Sequence, residues 1–532
     1  MSKVLLLQII NIILLLTVIG FYLIEKELNL RKDIILITTF FSINAILFLF
    51  NYGFTYEIIP YLVLLEFGIL ISGLLDKFKA SNILLLLIVL CLIDSVSVYL
   101  QYLQIIPQNT FSVFKQSGFF DNPSHKSGLY VITMSFLFWE YNKKESKIFL
   151  FLLLLFSITV GIGGSRGAIF SILLMFTGIY IYIQNSRKIL ITFIVVIPLL
   201  ITAFLFLYSI RKNSFDNRLT IWSESISQTI YNKPIQGFGA GSFEFNFNKN
   251  RAEKNQINDQ NIELYEYIDH PHNEYVKIFF EYGLLGIFFF ILILAFTIKY
   301  ICNSKYKEYY LIVLSSLLLL SLVQFPFQIL MNWMILIFVF LMITKEKIKI
   351  NTYWLGTLLI IFSVTVYASI INYTLRKEIA DYVESDDEYH FNSSEFNLHF
   401  KNANLIEPNS FLTLLNMFQN EGMVYRVGLH LDQLKNRTSN PAYYKLLGRQ
   451  ATIANNLNQS IYLYEMAYKL STVHLTPLYE LSVNINKTDT PDKYIDSICL
   501  YNKIIENTYD RTGYISHYKL MLSMDSLPYE CK

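Results

Sequence analysis

The stretch His270-Pro271-His272-Asn273-Glu274 stands where a long polar loop runs into an apolar segment that begins at Gly283. An imidazole titrates close to neutrality, so His272 can act as a general base that takes the proton of an attacking hydroxyl. His270 and Glu274 are its rivals for that task, and Asn273 can orient the ring or a substrate. The plainest reading of a lone histidine is a solvated surface residue. A metal reading also exists, because His270-x-His272 with Asp269 supplies nitrogen and oxygen ligands. No second ligand cluster follows at helical spacing, and the preferred reading uses neither a metal nor a cofactor.

Two arginines complete the chemistry. Arg166 lies in Gly163-Gly164-Ser165-Arg166-Gly167, where small neighbours let a ligand approach the backbone and a guanidinium offers a two-pronged donor to phosphate oxygens. The alternative is an arginine that snorkels from a helix end. Arg218 precedes Trp222 by four residues, on one face of an expected helix. It reads either as a second phosphate clamp or as a cation–π partner of the indole. Lys212 and Arg211 stand at the membrane edge, within reach of substrate phosphates or lipid head groups. Glu66 and Asp94 fall inside apolar runs, where ionisable residues are costly and often functional; pairing with Tyr or Ser in the bundle is the other reading. There is no Walker-type nucleotide loop and no nucleophile elbow, so any transfer must draw on energy stored in the substrate.

The elements that hold these residues are membrane helices. Of 532 residues, 54% are hydrophobic and 16% charged, against about a quarter charged in a soluble protein. The net charge of +2 argues against broad nucleic-acid binding. About twelve apolar runs reach spanning length, near 4–24, 33–50, 57–75, 83–106, 127–141, 147–163, 168–185, 189–210, 283–301, 308–325, 327–344 and 353–375. The first is too long, and lacks the small-residue cleavage site, for a removed signal peptide. The loops after odd-numbered runs hold sixteen lysines and arginines; the short loops opposite, with the N-terminus, hold only Lys3, Lys115, Lys126 and Arg166. Positive charge favours the cytoplasm, which sets both ends, the loop 211–274 and the tail outside.

The expected organisation is an all-α polytopic membrane bundle over 1–375, with 211–274 as its external catalytic loop. An acidic linker follows at 376–394, then an external helical domain at 395–532. In that domain Leu447-Gly448, Ala451, Ser460, Tyr464 and Ala467 carry the small and aromatic offsets of a tetratricopeptide helix pair. A weaker copy is suggested by Leu478, Leu481, Ser497 and Tyr501; an unrelated helical bundle is the alternative. Cys91 and Cys302 belong to the membrane body. Cys499 and Cys531 share the external tail, where an oxidising compartment permits a bridge.

Four short motifs occur in order: Gly118-Phe119-Phe120-Asp121-Asn122-Pro123, Gly164-Ser165-Arg166-Gly167, Arg218 with Trp222 before Pro234-Ile235-x-Gly237-x-Gly239, and His272-Asn273 before Glu281-Tyr282-Gly283-Leu284-Leu285-Gly286. Together they resemble the O-antigen ligase and polymerase family of bacterial membrane glycosyltransferases, most strongly over 118–290. Ser124 departs from the asparagine usual after Asn-Pro. The tail resembles that of a subset that includes protein O-oligosaccharyltransferases. The resemblance implies a glycosyltransferase of the C type in the bacterial inner membrane, with its large loop and tail in the periplasm. It implies transfer of a glycan from undecaprenyl diphosphate to an acceptor hydroxyl, on lipid A core sugar or on protein Ser/Thr. His272, Arg166 and Arg218 would be catalytic; Asn273, Glu274, Trp222, Asn122 and Lys212 would bind substrate. A repeat-unit polymerase is the runner-up within this chemistry. Other classes are a transporter of the lipid-linked glycan, although the internal symmetry of transporters is not visible, and a membrane anchor for the tail.

Overall fold

The computed structural model describes residues 28–31, 34–52, 55–74, 80–107, 116–120, 122–183, 212–254, 267–304, 307–342, 347–350, 352–384, 399–420, 424–435 and 437–471, with parts of 8–18 and residues 477 and 480. The chain is helical, as expected, and divides into two compact units. The first takes 1–50, 58–240 and 270–369; the second takes 51–57, 241–269 and 370–532.

In the first unit the helices are α1 (Ile34–Tyr52), α2 (Ile59–Leu74), α3 (Ala80–Tyr102), α4 (Pro123–Lys144), α5 (Lys147–Gly163), α6 (Arg166–Ile183), α7 (Lys212–Asn232), and, beyond residue 269, α9 (Glu274–Cys302), α10 (Lys307–Leu320) and α11 (Leu330–Leu341). Helix α12 (Thr352–Glu384) belongs to this unit as far as Ser369. One small addition to the all-α expectation is a ribbon of β1 (Leu28–Arg31) antiparallel to β2 (Lys347–Ile350). Helix α4 is the central post: Leu129 to Leu137 are buried and it packs against α3, α5, α6 and α10. Asn122 caps its first turn, its Oδ1 accepting from Ser124 N at 2.8 Å, and Pro123 follows where its missing N–H costs nothing.

Among the described residues, five helices are long and apolar enough to cross a membrane: Tyr56–Leu74, Leu84–Tyr102, Arg166–Ile183, Glu274–Cys302 and Leu358–Ile379. Shorter apolar helices cover Ile37–Leu47, Lys147–Gly163 and Leu330–Leu341. The expected run 189–210, and most of 4–24, lie outside the described residues. Two expected runs are shorter than read: α10 stops at Leu320, and α11 has 12 residues. The chain unwinds between them around Gln324 and Pro326, where proline cannot continue a helix.

Asp94 and Glu66, buried among the described helices, are both hydrogen-bonded. Lys126 Nζ lies 3.0 Å from Asp94 Oδ2, and the same carboxylate accepts from Tyr130 OH at 2.9 Å and Phe119 N at 3.1 Å. Glu66 accepts from Thr365 Oγ1 at 2.6 Å, Gln8 Nε2 at 3.1 Å and Asn11 Nδ2 at 3.2 Å. Asp94 thus has a cation and two further donors, and Glu66 three neutral donors, as the burial of polar groups requires.

The second unit contains α8 (Phe243–Lys254), α12 from Ile370, α13 (Pro408–Asn420), α14 (Val424–Leu431), α15 (Pro441–Ile453) and α16 (Leu457–Leu470). Leu375, Phe411, Leu415, Phe418, Leu431 and Leu446 are in its core. Segment 241–269 thus groups with the tail rather than with the membrane helices. Ala252 of α8 packs on Met466 and Leu470 of α16, and Tyr267 OH donates to Glu244 Oε1 at 3.1 Å and meets Ser439 Oγ at 3.0 Å. Helices α15 and α16 pack closely, with Gly448 directly against the Tyr464 ring. Cys499, Cys531 and the suggested second copy lie outside the described residues.

Helix α9 bends at Gly283, whose φ of 62° and ψ of −155° are non-helical. Phe238 N donates to Phe280 O and Gly239 N to Glu281 O, while Leu284 N and Leu285 N donate to Pro234 O and Ile235 O. A Cβ on Gly283 would strike the Ile235 backbone, and one on Gly237 (φ +67°) the Glu281 backbone. The two glycines of the Gly-x-Gly and Glu-Tyr-Gly motifs are therefore each other's clearance. Gly283→Ala is expected to cost about 2 kcal/mol of stability and to lower the thermal unfolding midpoint in detergent. Gly161→Ala, where a Cβ meets nothing within 4 Å, should leave the midpoint unchanged or slightly raised.

Candidate active site

Where α10 ends, the backbone carbonyls of its last turn and the next few residues need donors, since a helix terminus leaves four carbonyls without intrahelical partners. The sequence motifs supply them. Tyr275 OH donates to Leu318 O at 2.7 Å, Glu274 N to Ser321 O at 3.0 Å, Asn273 Nδ2 to Leu322 O at 3.0 Å and Arg218 Nη1 to Val323 O at 2.9 Å. Leu322 and Val323 N–H groups close the last turn onto Leu319 O and Leu320 O. Further on, Gln324 Nε2 donates to Ser165 Oγ at 3.2 Å and Phe327 N to Glu274 Oε1 at 3.1 Å. The segment 321–328 is a floor on which three separate motifs are fastened.

Helix α7 brings Arg218 and Trp222 to one side, one turn apart. The two act on different carbonyls: Arg218 on Val323, and Trp222 Nε1 on Pro271 O at 2.6 Å. Trp222 thereby holds the histidine loop. His272 has φ +52°, a left-handed conformation uncommon outside glycine, which asparagine, aspartate and histidine adopt more readily than other residues. Asn273 follows as the N-cap of α9, its Oδ1 accepting from Tyr275 N at 2.9 Å and Val276 N at 3.1 Å. Both ends of the Asn273 amide are committed, so its role in this arrangement is to position the loop. Asn122 is likewise committed to its cap, and Glu274 to Phe327 N.

Arg166 opens α6 directly after the left-handed turn at Gly164. Gly167 sits against the Gln324 side chain with no room for a Cβ, which keeps that end of α6 on the floor. Arg166 stands close enough to Arg218 for its charge, after burial, to lower the Arg218 pKa. Arg218 in turn acts on His272: burial first, then the neighbouring guanidinium, bring the imidazole from its ordinary 6.5 to about 4. The arginine–arginine–histidine series expected from sequence is thus electrostatically connected, and His272 is held neutral through the physiological range. Lys212 is the first residue of α7; its side chain is not among those described.

Two features escaped the sequence reading. One is the floor itself, although the Gln324-x-Pro326-x-Gln328 interruption between two apolar runs marks a place where backbone must be satisfied from elsewhere. The other is His125. Its ring, with those of His270 and His272, surrounds Phe325, at centroid distances of 5.8, 4.8 and 5.3 Å. Both histidines of the His-Pro-His run thus turn to an aromatic floor residue.

The electrostatic coupling has a direct test. Replacing Arg218 by Gln removes a positive neighbour and leaves the burial, so the His272 pKa should rise from about 4 while staying below its ordinary value. Titration of ring-labelled histidine by NMR, assigned through His272→Gln, measures it; an unchanged pKa would show that the two groups do not interact.

Residues 149–291 match a protein-family model described as O-antigen ligase. No curated protein and no solved structure matches the chain. The matched segment contains Arg166, Arg218, Trp222, His272, Asn273 and Glu274, and stops short of the floor at 321–328. Over this segment the chain is similar to the O-antigen ligase family, and the described residues around it include five helices long and apolar enough to cross a membrane.

Proposed function

We propose that this chain transfers a glycan en bloc from undecaprenyl diphosphate to an acceptor hydroxyl at the external face of the bacterial inner membrane. The observation that carries the reading is the linked series Arg166, Arg218 and His272 above a floor built from the end of α10. The acceptor oxygen attacks the anomeric carbon of the lipid-linked sugar. The bond from that carbon to the diphosphate oxygen breaks, and the lipid diphosphate leaves with the electron pair. Arg166 and Arg218 stabilise the growing negative charge, as preorganised donors do in a partly dry site. His272 accepts the acceptor's proton.

A base with a pKa near 4 is weak in the empty site. The donor corrects this. A diphosphate bound at the two guanidiniums would neutralise the Arg218 charge that adds to burial in depressing His272 and bring negative charge of its own, so the imidazole becomes more basic when the donor is in place. An empty site would then leave hydroxyls alone. Trp222, Asn273 and Glu274 hold the loop in its left-handed register, Asn122 fixes the start of α4, and Lys212, at the first position of α7, is assigned to the lipid phosphates on its charge alone.

In this reading residues 1–375 form a membrane body of about twelve spans, 376–394 a linker and 395–532 a tetratricopeptide-like domain, with tail and large loop in the periplasm. The acceptor is a lipid A core sugar or a protein Ser/Thr, and the tail offers a surface for a protein partner. Purified protein given a lipid-diphosphate oligosaccharide and either acceptor should release undecaprenyl diphosphate. Arg166→Ala, Arg218→Ala and His272→Ala should each slow release by about 100-fold or more, with unchanged expression. Arg218→Lys should recover only part, because a point charge cannot replace a two-pronged donor. Release by none of the acceptors tried, or full activity in all three alanine variants, would contradict the reading.

A further inference from the structure

Helix α7 has a face that the active site does not use. Leu219, Ile226 and Ile230 are 45%, 38% and 53% exposed. Their spacing of seven and then four residues puts them in a single stripe, about 80° around the helix from Arg218 and Trp222 at 3.6 residues per turn. Ile221, Ser225 and Thr229 form the buried face, while Asn217 and Thr220 are exposed on the polar side. A helix that only bridged from protein to water would carry polar residues on both exposed flanks. This one carries three branched aliphatic side chains on one of them.

What covers the stripe is indicated by where it leads. The chain leaves α7 through Pro234 and Ile235, whose carbonyls accept from Leu284 N at 2.9 Å and Leu285 N at 3.1 Å. Ile235, Leu284 and Leu285 are themselves exposed. From there α9 runs on as the most apolar of the candidate spans, with almost none of its apolar window buried within the protein. Such a helix surface must lie against lipid. The stripe on α7 joins that surface through a hydrogen-bonded corner held by Gly237 and Gly283.

We propose that α7 is an interfacial helix, with Leu219, Ile226 and Ile230 seated in the lipid bilayer as a continuation of the lipid-facing side of α9. An amphipathic helix of this kind embeds its apolar side to roughly 5–10 Å, at the boundary of head groups and acyl chains. Arg218, on the adjoining flank, is then held at the depth of lipid phosphates. The seating does not depend on glycosyl transfer; its consequence for Arg218 rests on the proposed donor.

The test uses the full chain, with its cysteines replaced, in nanodiscs of phosphatidylethanolamine and phosphatidylglycerol. Single spin labels are placed at Leu219, Ile226, Ile230, Thr220 and Asn217. Accessibility to oxygen, which partitions into lipid, is compared with that to a water-soluble nickel chelate. Labels at Leu219, Ile226 and Ile230 should relax several-fold more with oxygen than with nickel, and labels at Thr220 and Asn217 should show the reverse. Nickel accessibility at the three stripe positions equal to that at Thr220 would overturn the proposal. Protection of the stripe from both reagents would overturn it too, by showing a second copy or another protein in place of lipid. Undecaprenyl diphosphate release by the same labelled proteins reports separately on glycosyl transfer.

Discussion

The site depends on satisfying the backbone at the end of α10. A helix that stops among apolar neighbours presents carbonyls that water does not reach, and each one left without a donor costs about 1–3 kcal/mol. Here they are taken up by a tyrosine hydroxyl, an asparagine amide, a backbone N–H and a guanidinium, from residues 275, 273, 274 and 218. The negative end of the helix dipole points the same way and favours the cation. The requirement to end one helix therefore pulls α7 and the start of α9 onto the same few carbonyls. His272 sits between them because the residues on either side are tied down, Pro271 by Trp222 and Asn273 by Leu322.

The same arrangement places a neutral imidazole beside Arg218, which feels the charge of Arg166 in turn. Left alone, such a site holds its base in a depressed state and its arginines in a mutually repelling one. A polyanionic ligand relieves both. In the proposed reaction, binding energy from phosphate contacts would be converted into basicity at His272 only when the donor is present, a differential effect of the kind that raises turnover instead of merely tightening binding. The proposed donor carries its own leaving group, so the proposed transfer calls for no nucleotide.

Much of this was legible in the sequence for identifiable reasons. Arg166, Arg218 and His272 stood out because charged and titratable residues are conspicuous beside apolar runs, and lysine asymmetry among loops gave the expected sidedness. Gly237 and Gly283 appeared in the motifs, but their purpose, clearing each other's backbone, needed coordinates. The floor at 321–328 was hidden because its contribution is made by carbonyls, which every residue has; only Gln324 and Pro326 hinted that the helix breaks. Asn273 and Asn122 read as substrate ligands because an amide can do either task, and the structure employs both as helix caps. The grouping of 241–269 with the tail depends on packing such as Ala252 on Met466, and no local pattern announces a contact across two hundred residues.

The central claim is that the two guanidiniums and the imidazole respond to one ligand as a unit. The measurement that tests it most directly is the His272 titration in the intact protein, with and without a short-chain lipid diphosphate. The account predicts an imidazole pKa that moves up from about 4 toward or beyond its ordinary value when the diphosphate binds, with the shift lost in Arg166→Ala. A diphosphate that binds without moving the His272 pKa would contradict it.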